Sequence, residues 1–194
     1  MALVPATGSI DLPDAGPTGI GYSQRTVTSD SGEHREMSLI RKFQTGVANS
    51  VVASRLVPTA IRGRLYNSLG IHNRARFSFG SFFGGTNVSV GANSYVNAQC
   101  FFDAFGRVDI GRDCLIGMGV LFLTSDHEIR RPGQYGPPRG LSILVGDRCW
   151  IGARAIILPG VRLVDDVVVA AGAVVPHSID APGVYAGVPA RQVR

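Results

Sequence analysis

"VGDRCWIGARAIILPGVRL", residues 145–163, places an aliphatic side chain at every sixth position: Val145, Ile151, Ile157 and Leu163. A step of six matches neither the 3.6-residue period of a helix nor a plain alternating strand. Self-similarity at a short fixed period marks a solenoid. The same step runs forward to Val169 and Val175, and it recurs upstream in Val90, Val96 and Phe102 and in Ile110, Ile116 and Phe122. Glycine often follows the aliphatic (Gly91, Gly111, Gly117, Gly146, Gly152), and the position four on is usually small (Ser94, Cys100, Cys114, Val120, Cys149, Ala155, Val161, Val167, Ala173).

Three six-residue segments make one triangular coil, each segment a short strand paired with the coils above and below. The large aliphatics stack inside, and the small residues fit where the chain bends. Glycine after the aliphatic is expected to supply the backbone conformation of the corners. All three cysteines fall in the small-residue slot and lack the close pairs of a zinc or redox motif, so they read as packing residues.

The register breaks twice. Eight residues separate Phe102 from Ile110, an insertion of two near Phe105 and Gly106. Then 23 separate Phe122 from Val145. After the segment ending at His127, a loop of about residues 128–144 is therefore inserted, and it must project from a corner. Loops on rigid scaffolds are where function concentrates.

Upstream, residues 1–34 are rich in Pro, Gly, Ser, Thr and Asp without periodicity and read as a flexible tail. Residues 35–73 read as a helical segment, with Ile40, Phe43, Val47 and Val51, then Ile61, Leu65 and Leu69, each set on one helical face. Pro58 opens the second helix and Gly70 closes it. Arg35, Arg41, Lys42, Arg55, Arg62, Arg64, Arg74 and Arg76 face only Glu36 as an acid. A solvated helical face is the plain reading of these charges, and weak contact with an anionic membrane surface or acceptor is the sharper one. No stretch has the length and apolarity of a membrane span, and the start lacks a secretory pattern, so a cytoplasmic location is expected. Eighteen arginines and one lysine against fourteen acids give a formal charge of +5, which suits an anionic ligand. No nucleic-acid-binding motif accompanies that charge.

With "VGDRCWIGARAIILPGVRL", "VVAAGAVVPHSIDAPGVYAGVPARQVR" (168–194) and the "SDH" ending at His127, the chain over roughly 74–194 resembles the hexapeptide-repeat acyltransferases. Within them it is similar to the maltose, galactoside and nodulation-factor O-acetyltransferases. The resemblance implies a mainly β fold, a left-handed parallel β-helix with a protruding loop, assembled as a homotrimer whose sites lie between subunits. It implies transfer of an acetyl group from acetyl-CoA to a hydroxyl of a sugar or other small acceptor, with no metal. Before residue 74 the resemblance stops, and the helices there differ from the family's N-terminal module.

Such transfer needs a base for the hydroxyl proton. Of four histidines, His34, His72 and His177 lie away from the register break, whereas His127 stands on it and matches the family's catalytic histidine. Asp126 and Glu128 flank it, and a backbone carbonyl is an equal candidate to orient the ring. Asn97 and Asp103 stand after the apolar position where glycine is ordinary; the resemblance makes them acceptor contacts, and turn capping is their plain alternative. The resemblance also places coenzyme A against Trp150 and the backbone at Ala153 and Ala171, with Arg191 and Arg194 at its phosphates. The family often has hydroxyl residues where Ala153 and Pro176 stand. Two other readings share the scaffold: an N-acyltransferase on an amino sugar or antibiotic, and a non-catalytic solenoid. A carbonic anhydrase of this fold needs closely spaced histidines, which the chain lacks.

Overall fold

The stacked aliphatics at six-residue spacing are all buried, and each closes a strand of two or three residues whose preceding side chain points outward. A computed structural model of the protein describes residues 33–194. The tail expected over 1–34 lies outside the described residues, except that Glu33 and His34 begin the first helix. From His72 on, the chain winds as a parallel β-solenoid of about six turns with three sheets.

Register follows the repeat. Val90 pairs with Ile110, Ile110 with Val145 and Val145 with Leu163 on the first sheet; Val96, Ile116, Ile151 and Val169 align on the second; Phe102, Phe122, Ile157 and Val175 on the third. The long insertion leaves this ladder intact, since Leu123 N donates to Ile157 O at 3.0 Å across it. One coil more stands upstream than the aliphatic count indicates: Asn73 pairs with Val90, Phe77 with Val96 and Phe83 with Phe102. A polar residue opens that coil because the helices cover it. Asn73 is buried, and its side-chain amide donates to the carbonyls of Gly63 and Ile71. Phe83, Phe102 and Phe122 stack with ring centres 5.0 and 5.1 Å apart, a column of aromatic rings down the third sheet.

The small-residue slot is filled as its chemistry requires. All nine residues in it are buried, and all three cysteines are free. Their sulfurs face carbonyls of the adjacent coil, and burial pushes the Cys100 thiol up to about 11, which makes it a poor nucleophile.

The glycines correct an expectation. None of Gly91, Gly111, Gly117, Gly146 and Gly152 adopts a positive φ; the left-handed residues come two positions later, among them Asn93, Asp113, Arg148, Arg154 and Asp166, with Gly119, Gly160 and Gly172. What the earlier glycines provide is close approach between coils. A Cβ on Gly91 would stand 2.6 Å from Arg112 N, and one on Gly117 2.5 Å from Ala153 N. Gly117→Ala therefore forces two coils apart, and chemical unfolding is expected to show a loss of about 1–3 kcal/mol.

Two helices cap the solenoid's N-terminal end: α1 (Glu33–Val47), running into a π-turn at Ala48–Val52, and α2 (Thr59–Ser68). Pro58 precedes α2, and Gly70 at φ +81° ends it. The apolar faces read from spacing meet the core only at Val47 and Leu69, which are half-buried against it, while Ile40, Phe43, Val51, Ile61 and Leu65 are exposed. Leu39, Ile40 and Phe43 are exposed by 66, 56 and 72%, each forgoing about 1.5–3 kcal/mol of burial. Packing comes instead from Ala48, Val52, Tyr66 and Arg62, which is only 1% exposed and so does not belong to the solvated basic face. Its guanidinium donates to the carbonyls of Val52, Ser54 and Phe77 at 2.9, 2.9 and 3.0 Å, and also to Val57 O. One side chain thus ties the π-turn, the inter-helix turn and the first coil together. Among the described residues no helix is long and apolar enough to cross a membrane.

Candidate active site

The inserted segment is a two-stranded antiparallel ribbon, Ser125–Arg131 with Gln134–Gly140. A loop was expected over about 128–144. Two local features make it a hairpin: the Pro132-Gly133 corner, with Gly133 at φ +78°, suits a tight turn, and Asp126 pairs with Arg139 across the strands at 2.6 Å.

His127 lies on the first ribbon strand, exposed, with Nδ1 2.9 Å from the carbonyl of the buried Gly136 on the second. A carbonyl only accepts, so Nδ1 carries a hydrogen, and in the neutral form of the ring the lone pair is on Nε2. The flanking acids do not orient the ring. Asp126 is taken by Arg139 and Glu128 by Arg130, and the Arg139 hydrogen bond holds the Asp126 carboxyl below the usual carboxylate range. A neutral imidazole with a fixed tautomer and an open nitrogen is a proton acceptor.

The ribbon's root is clamped. Asp103 Oδ2 accepts from Thr124 N at 3.0 Å, Thr124 Oγ1 at 3.2 Å and Ser125 N at 2.6 Å. Buried Thr124 in turn accepts from Gly106 N at 3.0 Å through its hydroxyl and from Leu141 N at 2.8 Å through its carbonyl. Gly106 and Gly140 meet backbone to backbone: a Cβ on Gly140 would lie 2.7 Å from Gly106 N. The two-residue insertion after Phe102 is thus the seat of the ribbon.

Partial burial raises the Asp103 carboxyl, but the hydrogen bonds from Ser125 and Thr124 outweigh it and leave it below the ordinary range. A carboxylate with a depressed folded pKa stabilises above its unfolded value of about 3.9 and loses that contribution as pH falls through the folded value. Hydrogen-exchange protection of the Thr124 and Ser125 amides is therefore expected to be full near neutrality and to fall on acidification below about pH 4. In Asp103→Ala, which has no acceptor there, that protection is low near neutrality as well as below about pH 4.

The remaining sequence-derived residues sit at a different corner. Trp150 lies on the outward side of the second sheet, Asn97 follows the strand Tyr95–Val96 of that sheet, and Ala153 and Ala171 occupy the same position of successive coils two residues past Ile151 and Val169. Asn97 Oδ1 accepts from Ala98 N at 2.7 Å, the turn-capping role. Arg191, in the strand Arg191–Gln192, ends this sheet, and exposed Arg194 follows it. Within one chain, then, Trp150, Asn97, Ala153, Ala171 and the arginines gather along one sheet and the corner after it. Asp103 and His127 stand at the corner after the third sheet. Sequence reading missed Gly136, Thr124 and Gly140, and placed Gly106 only as the site of the two-residue insertion. His72 and His177 lie exposed and apart from the ribbon. Among the described residues no group of three or more His, Cys, Asp or Glu is placed to hold a metal ion.

A family model described as the hexapeptide repeat of succinyl-transferase matches residues 85–123 and 142–176, with the gap falling on the ribbon. Over those residues the chain is similar to the hexapeptide-repeat acyltransferases. Galactoside O-acetyltransferase of Escherichia coli K12 is 35% identical over 61% of this chain and 56% of its own length. Nodulation protein L of Rhizobium meliloti is 40% identical over 40% of this chain and 43% of its own. The chain spans about half the length of the curated relatives it matches. A hexapeptide-repeat acetyltransferase of Vibrio cholerae, solved in complex with acetyl coenzyme A, superposes with a TM-score of 0.67 at 25% identity, covering 84% of this chain and 91% of that one.

Proposed function

We propose that this hexapeptide-repeat protein transfers an acetyl group from acetyl-CoA to a hydroxyl of a sugar or other small molecule, with His127 as general base. The observation that carries this reading is the open Nε2 of His127, its tautomer fixed by Gly136 O. His127 Nε2 takes the hydroxyl proton as the oxygen attacks the thioester carbonyl. The C–S bond then breaks, and the coenzyme A sulfur leaves and collects the proton from the imidazolium. A thiolate leaves more readily than an alkoxide, so no acyl-enzyme is needed.

Trp150 and the backbone at Ala153 and Ala171 line the pantetheine path, and Arg191 and Arg194 meet the phosphates of coenzyme A. Asn97 and Asp103 contact the acceptor. Asp103 does so through Oδ1, because Oδ2 holds the ribbon.

The donor corner and His127 come together between chains of a homotrimer. The separation of the two corners within one chain supports this, as do Ile129 and Tyr135, paired across the ribbon and exposed, a surface suited to burial against a neighbour. Subunit mixing tests it. His127→Ala and Ala171→Arg proteins, each inactive alone, are expected to regain activity when unfolded and refolded together, because some mixed sites then hold both native halves. No recovery in mixed trimers, or a protein that sediments as an active monomer, contradicts the shared site.

A further inference from the structure

The first turns of α1 that the structure describes face the wrong way for a helix held only by packing. Ser38, Arg41, Lys42 and Thr45, at spacings i, i+3, i+4 and i+7, share one face, and that face lines a cleft of about 540 Å³ against the solenoid. The large apolar residues Leu39, Ile40 and Phe43 are on the other side, exposed. A helix seated for stability alone would turn those three inward and its charges out. Here the inward space is polar.

The opposite wall of the cleft is the ribbon's seat: Asp103, Phe105 and Ser125, with Gly84–Asn87 between. Ser125 and His127 are two apart on one strand, so their side chains leave the same face of the ribbon. The cleft therefore opens beside the proposed base. Its charge is divided: Arg41 and Lys42 stand on the helix wall, and Asp103 on the solenoid wall, with Oδ2 satisfied by backbone and Oδ1 free of a hydrogen bond among the described residues. A second cleft of about 460 Å³ shares Arg41, Thr86 and Asn87 and adds Arg107, whose guanidinium is already paired with Asp109 at 2.6 Å. No acidic residue occurs between Glu36 and Asp103.

We infer that this cleft binds a phosphate group of the acceptor, with Arg41 and Lys42 on the phosphate and Asp103 Oδ1 receiving a hydroxyl of the same molecule. This rests on the acetyltransfer reading and deepens it: the acceptor is a phosphorylated, hydroxylated compound, either a free sugar phosphate or the phosphate-bearing headgroup of a lipid. Arginine and lysine side by side give a planar fork and a point charge, a pairing suited to a phosphate oxygen set. A neutral sugar would leave both cations without a partner.

The test measures binding to the full chain by calorimetry in saturating coenzyme A, so that the donor's phosphate sites are already filled. Probes are glucose 1-phosphate against glucose, and vesicles of phosphatidylcholine with and without phosphatidylinositol. The native protein is expected to bind glucose 1-phosphate or the phosphatidylinositol vesicles, which of the two being the source of the phosphate, and to ignore glucose and phosphatidylcholine. Arg41→Gln with Lys42→Gln weakens that binding about tenfold or more. Acetyl-CoA affinity, measured in parallel, stays unchanged and reports that the variant is folded. The inference is overturned if the double variant binds the phosphorylated probe as the native protein does, or if neither phosphorylated probe binds better than its neutral counterpart while acetyl-CoA binds normally. Loss of acetyl-CoA binding by the native protein would instead overturn the acetyltransfer reading.

Discussion

His127→Ala is expected to slow acetyl transfer by about 10²–10⁴-fold, the usual worth of a positioned general base. Affinity for acetyl-CoA should stay within about twofold, because in the proposed mechanism the ring meets the reacting hydroxyl and not the donor's pantetheine arm. The ribbon is not expected to rearrange, since its root is fixed by Asp103, Thr124 and the Gly106–Gly140 contact rather than by the imidazole. Comparing single-turnover rates with acetyl-CoA titrations separates the two effects. A variant that keeps its transfer rate removes His127 from the mechanism, and one that loses acetyl-CoA binding gives the residue a different task.

Arg62→Ala is expected to have the largest effect on stability. The substitution strips hydrogen bonds from the carbonyls of Val52, Ser54, Val57 and Phe77 and leaves a hole under Tyr66. Buried acceptors that lose a charged donor cost about 1–3 kcal/mol apiece before relaxation, so a total of about 3–5 kcal/mol is expected. For a chain of this size that lowers Tm by on the order of 10 °C. Arg62→Lys should recover only part of the loss, because one ammonium cannot span four carbonyls set around a planar group. The site is tightly closed: burial pushes the Tyr66 hydroxyl up to about 12, against the lowering effect of Arg62, and that hydroxyl has no hydrogen-bond partner among the described residues. A melting temperature within a degree or two of native would show that water replaces the guanidinium and that the helices are not pinned through it.

The solenoid was legible because six-residue spacing is a geometric demand: one large side chain per sheet per coil must point inward, and Val90 through Val175 meet it. Small residues at the bends were legible for the same reason. The glycines were misread, because a sequence position does not say whether glycine is needed for its φ or for the absence of a Cβ. At Gly117 the reason is the backbone of Ala153. Arg62 was misread because charge patterning treats every arginine as solvated, and only the convergence of four carbonyls from three segments makes one a buried tie. The ribbon could have been read from Pro132-Gly133 and the opposed Asp126 and Arg139. Gly136 as the partner of His127 could not, because that contact depends on cross-strand register. The first coil escaped notice since its inward residues, Asn73, Phe77 and Phe83, lie off the six-residue step, with four residues from the first to the second and seven from Phe83 to Val90.

Acetyl transfer itself is tested most directly by incubating the full chain with acetyl-CoA and a panel of sugars, sugar phosphates, glycolipids and hydroxylated small molecules, and following acetylated product and free coenzyme A by mass spectrometry. At least one hydroxylated acceptor is expected to gain acetyl in step with coenzyme A release, and His127→Ala to abolish most of both. No acetylated product from any acceptor, together with no detectable binding of acetyl-CoA to the native protein, would contradict it and leave the solenoid as a binding scaffold.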